Sequence, residues 1–220
     1  MTVKAESPSV SVPAAVAEAM RLKIGCSECG CRFAVIGAGY FCPACGHSSA
    51  ERVFRQSVDT IRTSIGAVST IRSTLTQEAD KDIAENTVRL LMENCLLHLV
   101  ASFQRLAEEV FTRLPNPVVS PPRRNAFQNL AEANRLWTEG GGRSFQTVLV
   151  GSEMADLERF FQQRHLLAHR DGFVDQDYID RTDDVACSVG QRLVIWEQSI
   201  IQLAGLIEKL GSALIQDVSP

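Results

Sequence analysis

Two groups of side chains in this 220-residue chain have the types and spacing to do chemistry. The first is a set of cysteines. Cys26-Ser-Glu-Cys29 is followed, twelve residues on, by Cys42-Pro-Ala-Cys45. Each pair presents two thiolates from one tight turn, and two such turns complete a tetrahedral four-sulfur site, which is the ligand set of structural zinc. Gly30, Pro43 and Gly46 suit the turns. A site with four protein ligands has no open position, so the expected Zn2+ is structural and not catalytic. Cys31 could replace Cys29 as a ligand, but Cys29 has the two-residue spacing. Cys95 and Cys187 are expected on helices as small core residues. The second group is Arg164-His165-Leu166-Leu167-Ala168-His169-Arg170-Asp171-Gly172, with two of the four histidines of the chain. His165 and His169 are four apart and share a helix face. Arg164 and His169 are five apart, about 140° around a helix. They converge on one ligand only if the helix ends near His169 or a second copy supplies the other half.

Three chemistries compete for that segment. His-x3-His is a zinc spacing, but no glutamate stands between the histidines to act as a metalloprotease base. Cations at a helix C-terminus are favoured by the helix dipole without any function. Finally, a histidine moves protons to and from a ribose hydroxyl, and an arginine stabilises a charged phosphorane.

The elements that must position these residues follow from hydropathy. Residues 1–23 are rich in Ser, Pro, Ala and Val and read as a flexible leader, with one short helical piece around Ala14–Leu22. Residues 24–49 form the small cysteine module, a zinc ribbon. Phe33, Val35, Ile36, Tyr40 and Phe41 are expected to make its two short strands, turning at Gly37–Gly39. Apolar residues then recur in steps of three and four from Phe54 to Leu75 and from Ile83 to Val110, predicting helices near 50–78 and 81–113. Four prolines between Pro115 and Pro122 exclude helix interior and predict a surface loop. A helix over Asn125–Thr138 ends at Gly140–Gly142, and a flexible segment covers 143–151. Ser152 is the expected N-cap of a helix that runs to Gly172. An acidic loop at 173–184 and a last helix over 185–215 complete the body.

Composition excludes several classes. With 45% hydrophobic and 22% charged residues the chain is globular, not disordered. Its net charge of −4 does not suit a protein that coats nucleic acid. Any RNA contact is therefore local. Residues 24–50 carry only Arg32 as a basic side chain, so the ribbon is expected to make a protein contact or stabilise the fold. No run of about 18 apolar residues predicts a membrane span, and no signal peptide is read at the start. Seven cysteines then point to a reducing cytoplasm.

The segment Phe161–Asp175, with Arg164, His165 and His169 followed by His-Arg-Asp-Gly-Phe-Val-Asp, resembles the signature of the HEPN domain (higher eukaryotes and prokaryotes nucleotide-binding): an Arg, a polar residue, three further residues and a His. The resemblance extends over about residues 50–215. It implies an all-α, HEPN-like helical bundle over 50–217, preceded by the four-cysteine zinc-ribbon module. It implies a homodimer with the Arg-His motifs meeting at the axis. It also implies a metal-independent endoribonuclease that cleaves RNA by transesterification to a 2′,3′-cyclic phosphate, in an antiviral defence or toxin–antitoxin setting. In that reading Arg164 holds the scissile phosphate, His169 is the general acid/base, His165 orients the pair and Arg170 binds flanking phosphate. The alternative is a non-catalytic dimer that binds a nucleotide or a regulatory protein partner.

Overall fold

The structure, a computed structural model, describes residues 21–36, 41–116 and 126–219. The chain divides into two compact units at Ser48–Ser49. The first holds a single antiparallel hairpin, β1 (Arg21–Gly25) and β2 (Arg32–Ile36), in the register Ile24 opposite Phe33 and Gly25 opposite Arg32. Among the described residues the second unit is helical: α1 (Ala50–Gly66), α2 (Val68–Glu78), α3 (Lys81–Phe111), α4 (Leu130–Glu139), α5 (Phe145–Val148), α6 (Glu153–His169), α7 (Gln176–Thr182) and α8 (Glu197–Asp217). A short 3-10 turn, Ala126–Gln128, precedes α4.

The 31-residue α3 is the axis of the helical unit, and α1, α2, α6 and α8 all pack on it. Side chains satisfy the free N–H groups at several helix starts, as helix ends require. Ser49 Oγ accepts from Arg52 N, Asp80 Oδ1 from Ile83 N, and Asn129 Oδ1 from Glu132 N. The stripe Phe54, Val58, Ile61 and Ile65 is buried, as its spacing predicts. Gly211 on α8 marks a close crossing, where an added Cβ would sit 3.0 Å from both Phe54 and Leu106.

The observed elements correct the sequence reading in several places. The hairpin does not turn at Gly37–Gly39. β2 pairs backwards with β1 across the Cys26–Cys31 turn, and β1 begins at Arg21, inside the expected leader. Phe41 lies in no strand and is exposed, while Gly37–Tyr40 and residues 1–20 fall outside the described residues. The single helix over 50–78 is broken at Gly66–Ala67, where glycine is a poor helix former. The segment 143–151 contains α5, whose Phe145 is fully buried. The acidic loop contains α7, because Asp175 Oδ1 caps it by accepting from Tyr178 N at 2.9 Å, and Asp177 and Arg181 complement its dipole. The last helix begins at Glu197, not at 185. Before it, buried Leu193 and Ile195 alternate with exposed Val194 and Trp196, a period of two, so this stretch is extended. Cys187 therefore lies in a turn and not on a helix, whereas Cys95 is buried on α3 as expected. Ile83, expected in an apolar stripe, is exposed, and so is Val189 in the segment expected to open the last helix. Of the Pro115–Pro122 loop, residues 117–122 lie outside the described residues.

Candidate functional site

The thiol cluster is built from two turns of the same form. In the first, Cys26 N–H donates to Cys31 O and Gly30 N–H to Cys26 O; in the second, Cys42 N–H donates to His47 O and Gly46 N–H to Cys42 O. Gly30 (φ 70°) and Gly46 (φ 75°) take the left-handed conformation that closes each turn, which costs glycine nothing. The matched geometry carries Cys26, Cys29, Cys42 and Cys45 to one point, with all four sulfurs within 4.8 Å of one another. Cys26 Sγ lies 3.7 Å from Cys45 Sγ, and Cys29 Sγ 3.7 Å from Cys42 Sγ. A zinc–sulfur bond of about 2.3 Å in a tetrahedron gives a sulfur–sulfur edge of about 3.8 Å, so the cluster already has the size of a metal site. These are not disulfide distances, and the cysteines are free. Cys31 and His47 hold equivalent places after the two glycines, and neither is one of the four converging ligands.

The electrostatics of the cluster also favour a cation. Burial pushes the Cys42 thiol up, but hydrogen bonds from the Cys45 and Ala44 N–H groups and from Cys29 outweigh it and bring the thiol down to about 6. Cys45 is drawn down by the His47 N–H, yet Cys29, burial and the other thiols push it up to about 12. One thiolate forms readily and its neighbours resist a second negative charge. A divalent cation removes that conflict. The four cysteines could thus hold a metal ion such as zinc, with no position left open for a substrate.

In the helical unit, a cleft of about 430 Å³ opens between α6, α7 and the start of α4. Helix α6 contributes Glu158, Phe161, Gln162 and His165 from one face, together with Arg164. Arg170 follows the helix end, where Arg170 N–H and Gly172 N–H both donate to Leu166 O and Asp171 and Gly172 take positive φ (50° and 78°). The stretch after this turn is braced: Val174 N–H donates to Gln191 O, Leu193 N–H donates to Gly172 O, and Arg192 pairs with Glu93 of α3 at 2.7 Å. Helix α7 contributes Asp177, Tyr178 and Arg181. The Tyr178 hydroxyl donates to Asp184 at 2.7 Å, and burial and that carboxylate push its pKa far up, so it stays protonated.

Of the four residues proposed from sequence, the cleft gathers Arg164, His165 and Arg170. His169 is not among its lining residues. It sits one turn beyond His165 on the same face, with ring centroids 4.9 Å apart, exposed at the end of α6. Burial, then the neighbouring His169 and Arg164, lower the pKa of His165, so its imidazole is neutral at neutral pH and free to accept a proton. Arg170 Nε lies 3.6 Å from Asp175 Oδ2. Sequence reasoning missed Arg181 and the α4 start, because neither is near the motif in the chain. The only local signal for Arg181 was the capping aspartate six residues before it. Compared with protein-family models, with curated proteins and with solved structures, the chain matches none of them.

Proposed function

We propose that the helical unit is a metal-independent endoribonuclease of the HEPN type, acting as a homodimer, and that the thiol cluster holds a structural zinc ion. The observation that carries this reading is the convergence of Arg164, His165 and Arg170 on one cleft, with His169 ring to ring with His165. The chemistry needs no metal. A neutral imidazole takes the proton of a ribose 2′-hydroxyl, the 2′-oxygen attacks phosphorus, and the 5′-oxygen leaves with a proton from an imidazolium. The product ends in a 2′,3′-cyclic phosphate. Arg164 offers a planar, permanently charged fork to the phosphorane oxygens. His165 orients the pair and Arg170 holds flanking phosphate. His169 is the acid/base, and it enters the reaction from a dimer axis along α6, since about 140° of helix separates it from Arg164. Its exposure at the helix end leaves it free to do so.

The test is RNA cleavage with EDTA present to bind free metal. His169→Ala is expected to lose about 10²–10⁴ in rate while keeping helicity and dimerisation. Arg164→Lys should recover only part of what Arg164→Ala loses. No cleavage by the unaltered protein, or undiminished cleavage by His169→Ala, overturns the reading. One observation favours the second reading, a non-catalytic dimer that binds a nucleotide or a regulatory protein: the histidine assigned to proton transfer lies outside the cleft.

A further inference from the structure

We propose that Arg181 of α7 is a second phosphate-binding residue of the cleft, so that the cleft holds a single strand of RNA by two phosphates, one at Arg164 and a neighbouring one at Arg181. The proposal rests on reading the cleft as an RNA site. The Asp175 cap makes 176–182 a helix, and its turn places Asp177, Tyr178 and Arg181 on one side, toward the cleft. Arg170 is engaged with Asp175. Arg164 and Arg181, by contrast, have no ion pair or hydrogen bond among the described residues, although both line the cleft. Both also act on the same imidazole, each lowering the pKa of His165. Two guanidinium groups that line one cleft, act on one histidine and make no ion pair of their own repel each other, and an anion between them relieves it. The N-terminal turn of α4, Leu130 and Ala131, closes the same cleft and adds the positive end of a ten-residue helix.

The carboxylates of Glu158, Asp175 and Asp177 share the lining, the second of them paired with Arg170, so this is not a general basic groove. It favours a ligand whose charges reach the two arginines and no further. A cleft of about 430 Å³ lies at the small end of ligand sites. It admits one unstacked nucleotide with its flanking phosphates and excludes a duplex, and single strands are how proteins most often read RNA.

The test is a salt series of binding titrations with a fluorescein-labelled single-stranded RNA of mixed sequence, using full-length His169→Ala protein so that the probe stays intact. Each phosphate contact to a single strand contributes about 0.7 to the slope of log K against log salt. Arg181→Gln is expected to weaken binding and to reduce the slope by about 0.7, while Arg181→Lys keeps the slope, because a point charge still displaces the counterion. Arg181 is exposed, so circular dichroism of both variants should match the parent. If the parent binds RNA and Arg181→Gln binds with the same affinity and slope, the assignment of Arg181 is overturned and the RNA reading of the cleft stands. If the parent binds no RNA, or a poly-glutamate peptide displaces the RNA at equal charge concentration, both are overturned.

Discussion

Replacing Cys42 with serine tests the metal reading most directly. Cys42 is buried, which pushes its thiol up, but donors from Cys45, Ala44 and Cys29 bring it down to about 6. The hairpin it anchors has two strands of five residues each. Ordering that many backbones costs about 10–20 kcal/mol. Among the described residues of this unit the buried apolar side chains are Ile24, Cys26 and Cys42, and two of those belong to the thiol cluster. Burying Ile24 contributes about 1.5–3 kcal/mol. The shortfall, on the order of 10 kcal/mol, is of the size that structural zinc supplies to finger peptides, about 10–16 kcal/mol at neutral pH. Native mass spectrometry should therefore find one zinc ion per chain. In Cys42→Ser, or after strong chelation, the ion should be lost. Amide exchange over Arg21–Gly25 and Arg32–Ile36 should then rise to the rate of an unstructured chain. The far-ultraviolet helical signal should persist, because the unit from Ser49 onward has its own core. A hairpin that stays protected without metal, or a full complement of iron in place of zinc, would refute the reasoning.

Two other outcomes follow from single side chains. Asp217, at the end of α8, accepts from the indole N–H of the fully buried Trp137 at 2.9 Å and from Arg143 N–H at 2.9 Å. Asp217→Ala leaves the indole without an acceptor, a loss of about 2–3 kcal/mol, and should lower Tm by about 4–12 °C; a fall of under about 1 °C by differential scanning calorimetry contradicts the clasp. Burial pushes the Asp217 carboxyl up, but the Trp137 and Arg143 donors outweigh it and hold it below the usual range. Its contribution is thus complete above about pH 3.9 and lost as pH falls through the lower folded-state value, and Asp217→Asn should flatten that acid limb. His165, lowered by burial, His169 and Arg164, should titrate below about 6.5 by NMR, and Arg181→Gln should move its midpoint up. Because its folded-state value lies below the unfolded one, His165 removes stability as pH falls through that window. A midpoint at or above the ordinary histidine value would show that the imidazole does not face those cations.

The thiol cluster was legible in the sequence because its information is local. Two turns of four residues carry all the ligands, glycine marks each turn, and the spacing alone brings the sulfurs together. The amphipathic stripes of α1 and α3 were legible for the same reason, since a period of 3.6 is written into consecutive residues. The Arg164–Arg170 segment is local too; Arg164, His165 and Arg170 line one cleft, whereas His169 lies outside it.

Tertiary structure decided the rest. Gly37–Gly39 was a plausible hairpin turn by composition, but β2 gains its ladder from β1, on the far side of the first cysteine turn, where the hydrogen-bonded Cys26–Cys31 turn already brings the strands together. The aspartates of 173–184 looked like solvated loop until one of them proved to be a helix cap, a role set by the backbone angle at Asp175 and not by its charge. The run 185–196 has helical apolar spacing in places, yet it is drawn out as Leu193 and Ile195 bury themselves while Gly172 and Val174 take its backbone bonds. The cleft itself has no signature along the chain. Asn129 at the cap of α4, Arg164 in α6 and Arg181 in α7 are far apart in the chain, and only the packing of α4, α6 and α7 brings them to one cleft, because the apolar faces that drive that packing say nothing about which polar side chains will meet at its edge.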